Sequence, residues 1–220
     1  LTDLSFEKYL FHSVNHKDPI VTNSNTRQSE FPVDPLFLDR WSPRAFDGKA
    51  MPHEDLLTIL DAAHWAPSAS NQQPWRFVYA QRDSKDWPLF LELLMEGNQR
   101  WAKNASALLF VISRSYNLSR EGEKKPSATH AFDAGAAWFS LAMQSHLLGY
   151  HAHGMAGIFK DQIVEKLNVP EGYVVNAAVA IGTLTDKNTL PDDLAEREIP
   201  SKRLPLAEVA FEGKFTGQAD

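Results

Sequence analysis

Ala66-Pro-Ser-Ala-Ser-Asn-Gln-Gln-Pro-Trp75 is the stretch on which the reading of the fold turns. Two prolines bracket six small or polar residues. Pro67 ends the helical pattern that precedes it, and Pro74 is expected to hold Gln73 extended. Ser68, Ser70, Asn71, Gln72 and Gln73 crowd hydroxyl and amide groups between a helix and a strand. Such a segment is either a well-bonded loop or a ligand site, and its composition alone leaves both open.

Upstream, residues 52–63 carry a helical stripe of Leu56, Ile59, Leu60 and Ala63. Pro52 suits the first turn, and Glu54 and Asp55 suit its positive end. Downstream, residues 76–80 predict a strand. Asp86 and Pro88 predict the start of a second helix, with a break at Gly97-Asn98. Residues 107–112 are a continuous apolar run, as a central strand requires. The polar residues 117–129 predict a mobile loop. The longest regular pattern is 130–148, with Gly149 placed to end it, and it predicts a buried helix, also suited to a subunit interface. A short helix over 160–167 and a strand over 174–184 follow. This order gives an α/β or α+β layered domain.

At 220 residues the chain is long enough for a single core without metal or disulfide staples. It contains no cysteine, which excludes disulfides, thiolate catalysis and Cys-ligated metal. A net charge of -6 argues against a nucleic-acid binder. No apolar run reaches membrane-spanning length and no secretory pattern stands at the front, so the expected location is cytoplasmic. Residues 1–12 predict a short helix, and residues 13–35, punctuated by prolines, an extended arm. The expected organisation is an arm over 1–35, one domain over 36–210 and a tail over 211–220.

Most catalytic templates fail. There is no Gly-rich dinucleotide turn, no phosphate-binding P-loop and no nucleophile elbow. His151-Ala-His153, with His146 and His130 nearby in sequence, suits either a metal or two hydrogen-bonded histidines. A Ser-His-Asp set can be written from Ser68, His64 or His130, and Asp133, but no spacing fixes it. Arg40 and Arg44, set among bulky apolar residues beside Ser42, are either ion-paired or anion-binding. Polar clusters without an evident nucleophile or base suit a protein whose cofactor carries the reaction.

Four blocks resemble the nitroreductase family of flavin-dependent oxidoreductases: Arg40-Trp-Ser-Pro-Arg-Ala-Phe46, Ala66 to Trp75, Gly97-Asn-Gln-Arg-Trp101, and Gly154-Met-Ala-Gly157, with Arg203-Leu-Pro-Leu206 later. The resemblance implies an α+β fold with a central mixed, largely antiparallel sheet flanked by helices. It also implies a homodimer with FMN in clefts at the subunit interface. By resemblance, Arg40, Trp41, Ser42 and Arg44 meet the FMN phosphate, ribityl chain or ring edge, and Arg203 joins them at the phosphate. Pro67, Ser68, Ala69 and Asn71 approach from the partner subunit. Asn98 bonds near the ribityl or pyrimidine part, and Ala156 or Gly157 presents a backbone N–H to the reactive flavin nitrogen. No side chain is needed as a catalytic base and no metal is implied. NADH or NADPH and then a nitroaromatic, quinone or similar flat acceptor use the same place in turn, a ping-pong scheme. The resemblance also admits a specialised relative such as a reductive dehalogenase, and a flavin-binding sensor or store is the alternative outside enzymes. Trp101, Ser201 and Ala156 replace charged residues of other members, which implies a different redox tuning.

Overall fold

The computed structural model describes residues 20–21 and 25–217. Its contacts divide the chain into two compact units, Leu1–Asp39 and Arg40–Asp220. In the first, strands β1 (Ile20–Val21) and β2 (Gln28–Ser29) pair antiparallel, and helix α1 (Pro35–Asp39) follows. The predicted arm therefore contains a small hairpin among its described residues. Asn25 Nδ2 and Arg27 Nη1 both donate to the Leu38 carbonyl, at 3.2 and 3.1 Å, and fold this unit on itself. The helix predicted over 1–12 lies outside the described residues.

The second unit contains helix α2 (His53–His64), strand β3 (Trp75–Gln81), helices α3 (Trp87–Glu92) and α4 (Glu96–Ala102), and strand β4 (Ala107–Arg114). Strands β5 (Tyr116–Leu118) and β6 (Lys124–Pro126), helix α5 (His130–Leu147), strand β7 (His151–Met155), helix α6 (Lys160–Lys166), strand β8 (Tyr173–Gly182) and helix α7 (Asp192–Ala195) complete it. The main sheet runs β3-β4-β8-β7, and all its pairings are antiparallel. With helices on both faces, the fold is α+β.

Strand β4 is buried along its whole length, and its two-residue period divides the core. Leu108, Phe110 and Ile112 pack with Phe46, Phe90 and Trp101 on one face. Leu109 and Val111 pack with Leu56, Ile59 and Leu141 of α2 and α5 on the other. The apolar run thus marks the strand covered on both sides. Helix α5 ends in a Schellman turn: Tyr150 N–H reaches Ser145 O, Gly149 N–H reaches His146 O, and Gly149 has φ +84°. Gly154 lets β7 approach α5, since a Cβ there would meet the Trp138 ring at 3.2 Å.

Three local expectations are corrected. Asp86 precedes α3 but makes no side-chain cap bond; its carbonyl accepts from Phe90 instead. Gly97 and Asn98 lie inside α4, and the chain breaks earlier, at 93–95, where Leu94 bridges to Ile158. Cross-strand pairing overrides the weak helix preference of glycine there. The mobile loop expected over 117–129 contains the β5–β6 hairpin, whose Tyr116 ring lies 4.5 Å from Lys124 Nζ. Its side chains are polar, so hydrophobic periodicity did not announce it.

Candidate active site

Site construction begins with the loop between α1 and α2. Phe46 is buried and bridges to Leu184, and the Ala45 carbonyl accepts from Thr185 N–H at 2.9 Å. Glu198, which is buried, accepts both the Arg44 and Ala45 backbone N–H groups on Oε1, the latter at 2.8 Å. Its Oε2 lies 3.5 Å from Arg44 Nη1. From the other side, His153 Nδ1 donates to the Pro43 carbonyl at 2.9 Å. Residues 43–45 are therefore clamped between β7 and the chain's late segment.

Arg40 lies half-buried at the start of this loop, and burial first, then the charge of Arg203, lowers its pKa. The charge of Arg203 thus reaches Arg40, although the two are remote in sequence. Arg203 is exposed, and its Nη1 donates to Ser201 O (3.4 Å), Ser201 Oγ (3.2 Å) and Lys202 O (3.1 Å). His151 adjoins them: its ring meets Trp41 edge-on at 6.4 Å and His146 at 5.5 Å. Burial, then the charges of His146 and Arg40, push its pKa from 6.5 down to about 4. His151 is therefore neutral at pH 7. Among the described residues no three His, Asp or Glu side chains gather as a metal site.

Asn98 and Gly157 form a second point. Asn98 Nδ2 donates to Gly157 O at 2.9 Å, and Met95 N–H reaches the same oxygen at 3.0 Å. A Cβ on Gly157 would stand 2.8 Å from Asn98 Nδ2, so only glycine admits this contact. Ala156 is exposed next to it. Trp101 faces the core instead: it is 1% exposed, with its ring 4.6 Å from His153 and 6.1 Å from Phe46. Its ring therefore packs in the core.

The segment from Ala66 to Trp75 is strained and held. Ser70, Asn71 and Gln73 have φ of 49°, 52° and 46°. Gln73 is left-handed, contrary to the extended form expected before Pro74. Its N–H bonds Ser68 Oγ at 3.0 Å, and its carbonyl accepts from Arg76 at 3.0 Å, which turn the chain there. Non-glycine residues keep such conformations only where surrounding bonds over-determine them, at about 1–3 kcal/mol each. Two buried residues outside the loop add further bonds on either side of Ser70 and Asn71. Asp133 Oδ2 accepts from Ala69 N–H at 3.3 Å and from Thr129 Oγ1 at 3.2 Å. Arg114 Nη2 donates to Gln72 O at 3.1 Å and Gln72 Oε1 at 2.9 Å. Pro67, Ala69 and Asn71 face solvent, and Ser68 is half-buried. The paper hydrolase does not assemble: His64 pairs with Asp61, and His130 with buried Ser113 at 2.7 Å.

With this geometry in hand, comparison with known proteins is informative. The model of the Nitroreductase family matches residues 38–98. An Archaeoglobus fulgidus protein named "Putative NADH dehydrogenase/NAD(P)H nitroreductase" is 30% identical, over 69% of this chain and 85% of that one. A Thermus thermophilus "NADH dehydrogenase" is 30% identical, over 79% of this chain and 92% of its own length. A crystal structure described as "the oxidoreductase containing FMN" is 81% identical, with a TM-score of 0.88, covering 90% of this chain and all of that one (100%). The chain belongs to the nitroreductase family.

Proposed function

We propose that this protein binds FMN and passes electrons from NADH or NADPH to nitroaromatics, quinones or similar flat acceptors. The observation that carries the reading is the loop bearing Arg40, Ser42 and Arg44, which Glu198 and His153 clamp in place and which the charge of Arg203 reaches. Half-buried Arg40 and the nearby charge of Arg203 suit a phosphate, which guanidinium groups hold by charge-assisted hydrogen bonds. The polar surroundings fit the rest of the cofactor. Ser42 offers a hydroxyl for the ribityl chain, with Trp41 and Arg44 beside it on the clamped loop. Asn98, fixed by Gly157, offers its carbonyl oxygen, and Ala156 and Gly157 bring small residues and backbone donors to the ring. When bound, FMN supplies two-electron transfer between nicotinamide and acceptor. The side chains bind, orient and shield, and none is required as a base.

Pro67, Ser68, Ala69 and Asn71 serve, in this reading, the cofactor of a second copy of the chain. The exposure of their loop supports this, as do Phe132 and Phe139 of α5, which are 82% and 46% exposed. The 81% identical oxidoreductase whose crystal structure is described as containing FMN supports the choice of cofactor. Among the described residues no helix is long and apolar enough to cross a membrane; we place the protein in the cytoplasm. The test of a shared site is steady-state kinetics with NAD(P)H and acceptor both varied. Parallel double-reciprocal lines are expected, and intersecting lines contradict a ping-pong scheme.

A further inference from the structure

Glu198 is a buried carboxylate that bonds the loop beginning with Arg40 and lies five residues before Arg203. We propose that Glu198 is a positioning residue that assembles the phosphate clamp, by fastening the segment carrying Arg203 onto the loop that begins with Arg40. This rests on the FMN reading above.

Glu198 is 6% exposed. One oxygen, Oε1, accepts two successive backbone N–H groups, those of Arg44 and Ala45. The other, Oε2, is buried without a hydrogen bond among the described residues and lies 3.5 Å from Arg44 Nη1. A buried carboxylate is costly unless paired and hydrogen-bonded, so these contacts fix where Glu198 sits. The chain then turns, with Ile199 N–H on Arg197 O at 3.0 Å, and passes Pro200 to Ser201 and Lys202. Arg203 folds back onto that stretch through its bonds to Ser201 O, Ser201 Oγ and Lys202 O. The Arg203 guanidinium is therefore held by a backbone whose nearest deep anchor is Glu198. On the other side of the anchor, Arg40 lies four residues before Arg44. Ser201, which the resemblance sets where a second basic residue is usual, works here as an acceptor for Arg203.

Among the described residues, 199–217 are otherwise almost entirely exposed, and Glu198 is the buried side chain nearest to Arg203 in sequence. Loss of the anchor is expected to leave each arginine in the chain but not opposite its partner. The effect falls on FMN affinity rather than on electron transfer once FMN is bound.

The test is a double-mutant cycle on the full chain, with FMN dissociation constants measured by fluorescence for wild type, Glu198→Ala, Arg203→Ala and the double variant. Each single variant is expected to weaken FMN binding by about tenfold or more. The double variant is expected to bind within about twofold of Arg203→Ala alone, since the anchor has nothing left to place. Multiplying losses overturn the proposal, as does unchanged affinity in Glu198→Ala. Glu198→Gln, which keeps an acceptor for the two N–H groups, guards against general misfolding. It is expected to recover most of the affinity, and a loss equal to that of alanine contradicts positioning through the backbone. Wild type that binds no FMN overturns both this proposal and the functional reading; wild type that binds it with an additive cycle overturns the proposal alone.

Discussion

Arg40 and Arg44 show how differently two arginines of one motif can be employed. Arg44 is ion-paired with buried Glu198, whereas Arg40 feels the charge of Arg203. Replacing Arg44 by alanine leaves a buried carboxylate without its counter-charge, a loss of about 3–5 kcal/mol that thermal denaturation of the cofactor-free protein reads directly. Replacing Arg40 by alanine is expected to weaken FMN binding more than it lowers the melting temperature of the cofactor-free protein. A drop for Arg40→Ala as large as that for Arg44→Ala contradicts this division. His151 adds a pH dependence. Its pKa in the fold is about 4 against an ordinary 6.5, so between these values the unfolded chain binds the extra proton. The contribution of neutral His151 is fully present above pH 6.5 and is lost as pH falls toward 4. His151→Gln is expected to flatten that part of the stability profile, and a profile identical to wild type removes His151 as its source.

At the level of elements, the sequence was most legible where burial sets a period. Helix α2, helix α5 and strand β4 stand where Leu56 and Ile59, Ala134 to Ser145, and Leu108 to Ile112 put them, because one face or both faces of each element are apolar. Elements held by polar or cross-chain contacts were not legible. The β5–β6 hairpin rests on backbone pairing of mostly polar residues, and α4 tolerates Gly97 because Leu94 and Met95 are tied to residues 157–158, just after β7. The candidate site divides the same way. The polar loop from Ala66 to Trp75 announced itself by composition, but its anchors, Asp133 and Arg114, sit in elements that read as a helix start and a strand end. Glu198 gave no signal, because nothing in a lone glutamate in a polar tail shows that it folds under Arg44. For the loop, Arg114→Ala is expected to remove the bonds that hold Gln72 and to raise backbone hydrogen exchange across 69–73, with the β4 amides above Val111 unchanged. Unchanged exchange in 69–73 means that Ser68 and Asp133 suffice to keep the strained backbone.

At the scale of the whole molecule, a four-stranded antiparallel sheet with α2 and α5 on one face and α3, α4 and α6 on the other presents its polar clusters at loop ends. Those clusters contain cations and amides, groups suited to orienting a redox cofactor. The central claim is that this nitroreductase-family chain holds FMN and reduces it with a nicotinamide. The most direct measurement is the visible absorbance spectrum of the purified protein supplied with FMN, followed under anaerobic conditions by addition of NADH and then NADPH. The account predicts a bound oxidised-flavin spectrum that bleaches with at least one nicotinamide and returns when a quinone is added. Protein that takes up no FMN contradicts the binding claim, and bound flavin that neither nicotinamide bleaches contradicts the enzyme.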